Sequence, residues 1–295
     1  MRRSILLLVV LVSRQTLPLP AQDSALPSKP GSVRFAAIGD MGTGAPAQYE
    51  VARRMFEFHQ KFPFNSVIML GDNIYGGKSP AELQKKFEIP YKPLLDAGVQ
   101  FYASLGNHDD TNERFYKFFN MNGERFYTFK KGNVRFFALD SNYLDPKQLE
   151  WLEKELANAG SDWKICYFRH PLYSSGAFHG SSTELRAVLE PLFVKYGVQV
   201  VFSGHDHVYE RTKPQKGIYY FVEGASGELR AGNLRKTDLT AVGYDKDCSF
   251  LSVEISGDDL YFQAISRTGV TVDSGTIRRT AEAEPAARKT AAGIP

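Results

Sequence analysis

The chain has 295 residues, 43% of them hydrophobic and 13% aromatic, which allows a sizeable folded core and argues against a disordered chain. Thirty-six basic residues against thirty-three acidic ones leave a formal charge of only +3, with no run of five like charges. A nucleic-acid partner is therefore not indicated, whereas a small phosphorylated substrate needs only a local field and stays open.

In chain order, residues 1–21 read as an export signal. Arg2 and Arg3 precede the apolar stretch Ile5–Val12, and a proline-rich segment follows, with Pro20-Ala21 as the cleavage point. The apolar stretch is shorter than the roughly 20 residues a bilayer span needs. The expectation is a secreted or periplasmic protein with no membrane span once the signal is removed. Residues 22–32 read as a linker, 33–280 as one folded unit, and 281–295 as a disordered tail. Strands are expected at Val33–Ile38, Ser66–Leu70, Val99–Leu105, Val134–Leu139, Trp163–Phe168 and Val198–Phe202, several of them apolar throughout, as in sheets covered on both faces.

Helical spacing marks Pro46–Phe62. Asp145-Pro146-Lys147-Gln148 is a helix start, with Asp at the cap and Pro at the first position, and a further helix is expected over Ser182–Tyr196. From Ile218 onward the pattern changes to strands without intervening helices: Ile218–Val222, Phe250–Ile255, Leu260–Ile265 and Val270–Ile277. The class is α/β, with the C-terminal strands expected to extend the same sheets. Cys166 and Cys248 lie in separate apolar stretches at no metal-ligand spacing, and a bridge between them stays open.

The chemistry lies in the turns at the strand ends. Gly39-Asp40, Gly71-Asp72-Asn73-Ile74-Tyr75, Gly106-Asn107-His108-Asp109, Arg169-His170-Pro171 and Gly204-His205-Asp206-His207 each end an apolar run, and in parallel sheets such ends converge on one crevice. Each turn alone is an ordinary turn signal. Together they hold, or lie just before, five of the six histidines, His59 alone sitting in a helical stripe. A glycine precedes the ligand type in four of the five turns, which allows close backbone approach.

The order GD, GDxxY, GNH(D/E), xxxH, GHxH resembles the metallophosphoesterase signature over residues 33–277. Tyr75 and His179 narrow the resemblance to the purple acid phosphatases of the short, tartrate-resistant type. That resemblance implies a four-layer αββα sandwich of two mixed β-sheets flanked by helices. It also implies hydrolysis of phosphate monoesters by a hydroxide held at two metals, in a catalytic domain over 33–280. By position, Asp40, Tyr75 and His207 would hold Fe(III). Asn107, His170 and His205 would hold a divalent ion (Fe, Zn or Mn), and Asp72 would bridge. A phenolate with a carboxylate suits a trivalent ion, and imidazoles with an amide oxygen suit a divalent one. His108 and His179 would be the catalytic histidines.

There are departures: Ile74 replaces a common aromatic residue, and Arg169 precedes His170 where Gly or His is more usual. Tyr209-Glu210-Arg211 looks more like the plant and bacterial branch. Two other readings stand beside this one: a phosphodiesterase or nucleotidase of the same superfamily with two divalent metals, and a non-catalytic metal-binding or sensory protein on the same scaffold.

Overall fold

Residues Val33–Ile38 form β1, and their alternation shows how the layers are built. Phe35 and Ala37 enter one apolar core, while Ala36 and Ile38 enter another on the opposite face. The same happens along β6 (Trp163–Phe168), where Trp163, Ile165 and Tyr167 join the first core and Cys166 and Phe168 a third. Every residue of β6 is buried, which explains its unbroken hydrophobicity.

The computed structural model describes residues 26–77 and 79–279. The signal segment 1–21 and the tail 281–295 lie outside the described residues. Among these residues, no helix is long and apolar enough to cross a membrane. After β1 come α1 (Pro46–Lys61), β2 (Ser66–Leu70), α2 (Pro80–Leu83), a π-helical turn over Gln84–Glu88, α3 (Ile89–Asp96) and β3 (Gln100–Ser104). Next are β4 (Tyr127–Lys131), β5 (Val134–Ala138), α4 (Pro146–Ala157), β6, α5 (Thr183–Lys195) and β7 (Val200–Ser203). The chain continues with β8 (Tyr209–Thr212), β9 (Tyr219–Glu223), β10 (Thr240–Tyr244), β11 (Ser249–Ser256), β12 (Asp259–Ser266) and β13 (Thr271–Arg278).

One sheet runs β13-β12-β11-β1-β2-β3 and the other β10-β8-β9-β7-β6-β5-β4. Both are mixed: β1, β2 and β3 are parallel, as are β5, β6, β7 and β9, while the C-terminal strands pair antiparallel. The sheets face each other across the core that holds Phe35, Phe136, Phe202 and Phe221. Val51, Met55, Tyr91 and Leu94 of α1 and α3 cover the outer face of the first sheet, and Leu152, Leu156, Leu189 and Phe193 of α4 and α5 that of the second. This is the αββα architecture. Cys166 and Cys248 belong to the two different outer cores and are buried free thiols.

Several local features follow from single residues. Asp145 caps α4 by accepting from the Gln148 N–H at 2.8 Å, with Pro146 at the first position. The segment expected to be a linker is partly fastened: the N–H groups of Ser28 and Lys29 donate to the buried Glu254 carboxylate of β11.

Glu223, at the end of β9, is fully buried and accepts from Ser249 Oγ at 3.0 Å, and burial pushes its pKa from 4.5 up to about 8. The folded state therefore holds a proton that the unfolded state releases between these values. Stability from this group is greatest below pH 4.5 and falls as pH rises to about 8. Chemical denaturation across that window should show this slope, and Glu223→Gln should flatten it.

Candidate metal centre

The carboxyl ends of β1, β2, β3, β6 and β7 open on one crevice, and each is followed by a turn that reverses sharply. Asp40, Asp72 and His205 adopt left-handed backbone conformations (φ +54, +52 and +73°), strained for residues with side chains. Close approach between turns makes two glycines obligatory. A Cβ on Gly106 would run into the Asp72 backbone nitrogen, and one on Gly204 would meet Asp40 Oδ2 at 2.7 Å. Gly106→Ala is expected to unfold the crevice, read as a large fall in melting temperature.

Asp40 is the node. Its Oδ1 accepts from the Tyr75 hydroxyl at 3.0 Å and lies 2.9 Å from His207 Nε2, which is itself 3.4 Å from that hydroxyl. Its Oδ2 accepts from the His205 N–H at 2.9 Å. Three donor atoms of the three residues expected to hold Fe(III) thus meet at one point, at spacings like the edges of a coordination polyhedron with bonds of about 2 Å. Burial, Asp40 and Asp72 all hold the Tyr75 phenol protonated, far above its ordinary pKa, so only a strong cation beside it would ionise it. These residues fit a metal ion.

The other half differs. Arg169, 1% exposed, extends its guanidinium among the remaining ligand types. Nη1 pairs with Asp40 Oδ1, Nη2 with Asp72 Oδ2, and Nε donates to Asn107 Oδ1 at 3.1 Å. Asp72 Oδ1 accepts from the His108 N–H at 3.0 Å. Among the described residues, no group of three or more His, Cys, Asp or Glu side chains forms a cation cage by itself. Here a second metal ion does not fit while the guanidinium stays.

Electrostatics follow that placement. Burial alone would raise the Asp40 pKa, but the charges of Arg169 and His207 hold it well below the usual range. Burial raises that of Asp72 despite Arg169. Burial and the Arg169 charge push His170 down to about 4 and His205 lower still, so both imidazoles are neutral. Nδ1 of His205 is buried without a hydrogen-bond partner among the described residues. His170 Nδ1 sits 2.9 Å from Ser141 Oγ, and its ring meets that of His205 edge-on at 4.5 Å.

His108 is exposed, its ring 5.2 Å from that of Tyr75. His179 stacks on His205 with ring centres 3.8 Å apart. The fold therefore brings all nine expected residues to this crevice. It also brings residues to which sequence alone gives no clear role. Asp109 accepts from Asn73 Nδ2 at 2.7 Å and from the N–H groups of Ile74 and Gly106, so it locks two ligand turns together. Asp206 accepts from Ser174 Oγ at 2.6 Å and from the N–H groups of His179 and Gly180 at 3.3 and 3.0 Å, fixing the His179 loop. Arg230 lies 3.6 Å over the exposed ring of Phe178, at the same rim. Arg169 is visible in the sequence as a departure; Arg230 carries no sequence signal.

Comparison with known proteins agrees with this architecture. The family model for calcineurin-like phosphoesterases matches residues 33–209. Tartrate-resistant acid phosphatase type 5 of Homo sapiens is 28% identical, covering 90% of this chain and 96% of its own, and that of Mus musculus is 26% identical over 92% and 98%. Among solved structures, a purple acid phosphatase from yellow lupin (Lupinus luteus) seeds superposes with a TM-score of 0.70 at 21% identity, covering 86% of this chain and 55% of its own. GAP50, the anchor in the inner membrane complex of Plasmodium, does so with 0.74 at 20% identity, over 85% and 90%. With its strand-end turns, its two facing sheets and this match over more than half its length, the chain belongs to the calcineurin-like phosphoesterase family.

Proposed function

We propose that the chain is an exported acid phosphatase that hydrolyses phosphate monoesters in this crevice. The observation that carries the reading is the meeting of Asp40 Oδ1, Tyr75 Oη and His207 Nε2 at one point. A ferric ion bound there would supply the Lewis acidity that phosphoryl hydrolysis at acid pH requires. Arg169 fixes positive charge under the phosphate position, and Asp72 holds that guanidinium in place. His108 and His179 stand at the mouth, where their ring N–H groups can bond phosphoryl oxygens and one can pass a proton to the leaving oxygen.

The alcohol part of the ester has room in an adjoining cleft of about 360 Å³ lined by Asn107, Thr111, Asn142, Tyr143 and His170. A monoester carries more negative charge than a diester, and the donors and cation at the mouth (His108, His179, Arg230) favour it. The test is a substrate panel of para-nitrophenyl phosphate and its bis ester from about pH 4 to about pH 8. The monoester should be preferred by at least about tenfold in kcat/KM on the acid side. Equal or faster diester turnover would sink the proposal. In the same samples, an absorption band from tyrosinate on iron should vanish in Tyr75→Phe.

One observation favours a second reading, a non-catalytic phosphate- or metal-binding protein: the buried Arg169 guanidinium satisfies the carboxylates without two metals. Failure of the metal-loaded protein to turn over either ester at any pH would select it.

A further inference from the structure

The three acceptors of the Arg169 fork are one oxygen of the expected ferric set (Asp40), the expected bridging carboxylate (Asp72) and one ligand of the expected divalent set (Asn107). One planar cation thus takes, simultaneously, two of the four groups that would otherwise surround a second metal ion, Asp72 and Asn107, and one oxygen of the ferric set. The guanidinium fork matches carboxylate oxygens at fixed spacing and cannot lose its proton inside a protein. The chain around it is shaped to the side chain. A Cβ on Gly71 would meet Arg169 Cδ at 2.8 Å, and one on Gly204 would meet Nη1 at 3.2 Å. The walls are the backbone of the ligand turns themselves, and the side chain is 1% exposed, so it has no solvent-facing position to swing into without those turns separating.

The placement also follows from the strand. Trp163, Ile165 and Tyr167 of β6 face the space between the sheets, and Arg169 continues that parity towards the carboxylates. His170, next along, reaches Ser141 and His205 at the side of the crevice. Meanwhile Tyr75 and His207 show no hydrogen bond or ion pair to the guanidinium, and they meet the same Asp40 oxygen, Oδ1, that pairs with Nη1.

We propose that Arg169 takes the place of the second metal ion as a fixed protein cation, so that the centre takes a single metal ion, held by Asp40, Tyr75 and His207. This goes beyond the phosphatase reading and rests on it only for the expectation that the crevice binds a metal at all. In such a site, Asp72 serves the guanidinium instead of bridging two ions.

The test is elemental analysis of the full-length protein after incubation with iron together with zinc or manganese and removal of excess ions. One ion per chain is expected for the unaltered protein, and two for Arg169→His, which removes the fixed charge and supplies an imidazole. Two ions in the unaltered protein would overturn the proposal, and so would none. An Arg169→His protein that stops at one ion would overturn the assignment of Arg169 as the excluding group. Arg169→Lys, which keeps the charge, is expected to stay at one ion and guards against a His variant that fails to fold; two ions there would also overturn the proposal. Ester hydrolysis measured on the same samples separates the two claims. A one-ion protein without activity refutes the phosphatase reading alone, and a two-ion active protein refutes this proposal alone.

Discussion

Arg169→Met is expected to destabilise the metal-free protein by about 3–5 kcal/mol near neutral pH, because it leaves two buried carboxylates without their cation. Asp40 and Asp72 are both fully buried, and the guanidinium is 1% exposed, so water cannot replace it. A surface ion pair would contribute only about 0–1 kcal/mol, so the size of the loss distinguishes the two situations.

The pH dependence gives an independent sign. In the intact protein Arg169 holds the Asp40 pKa below its unfolded value of 3.8, so this carboxylate stabilises the fold above about pH 4 and the contribution is lost only in strong acid. Without Arg169, only His207 opposes burial at Asp40, and the Asp72 pKa, already raised by burial, rises further. The variant then loses stability as pH rises, and the gap between the two proteins should widen from about pH 5 to about pH 7.5. Urea denaturation with a chelator present would measure it. Added divalent metal should stabilise the variant, which has room for a second ion, more than the unaltered protein. A gap below about 1 kcal/mol that ignores pH would show that the carboxylates have another partner.

The second large effect is expected at Asp206. Its carboxylate takes one hydroxyl and two N–H groups from the Ser174–Gly180 loop, and that loop carries His179. Asp206→Ala orphans those donors, at about 1–3 kcal/mol for each that stays buried, and frees the histidine from its stack on His205. On the monoester, kcat should fall by about 10²-fold, comparable to His179→Ala, because a positioned general acid contributes about 10²–10⁴-fold. The double variant should be little slower than either single one, since the same interaction is already lost. Metal content should not change. Additive losses in the double variant would mean that Asp206 acts elsewhere.

The long apolar strands and the capped helix α4 are legible in the sequence because burial on both faces and an Asp-Pro start leave strong local patterns. β6 is buried at all six positions, and Asp145 bonds the Gln148 N–H its sequence context implies. The helices between Pro80 and Asp96 leave no such pattern. Pro80, Pro90 and Pro93 punctuate them, and a π-helical turn joins α2 to α3, so no regular 3.6-residue stripe survives. β4 and β10 lie at sheet edges, where partial exposure dilutes alternation, and their residues come mostly half-buried.

In the crevice, residue type points to the right neighbourhood: the Asp, Tyr and His residues of the strand-end turns do come together. The role of Arg169 is harder to see. The histidine next to it stands out as a metal ligand type, whereas the parity of Trp163, Ile165 and Tyr167 already aims position 169 between the sheets. Asp206 is legible only as a residue between two histidines, because its partners lie about thirty residues away in sequence.

The most direct measurement is a titration of activity with metal. Protein stripped by a chelator is given back iron in fractions of an equivalent, and para-nitrophenyl phosphate hydrolysis is followed at acid pH. With Arg169 supplying the second charge, the rate is predicted to rise linearly and to saturate at about one equivalent per chain. A rate that stays near zero until a second equivalent is bound, or one that needs no metal, would contradict a single-ion centre.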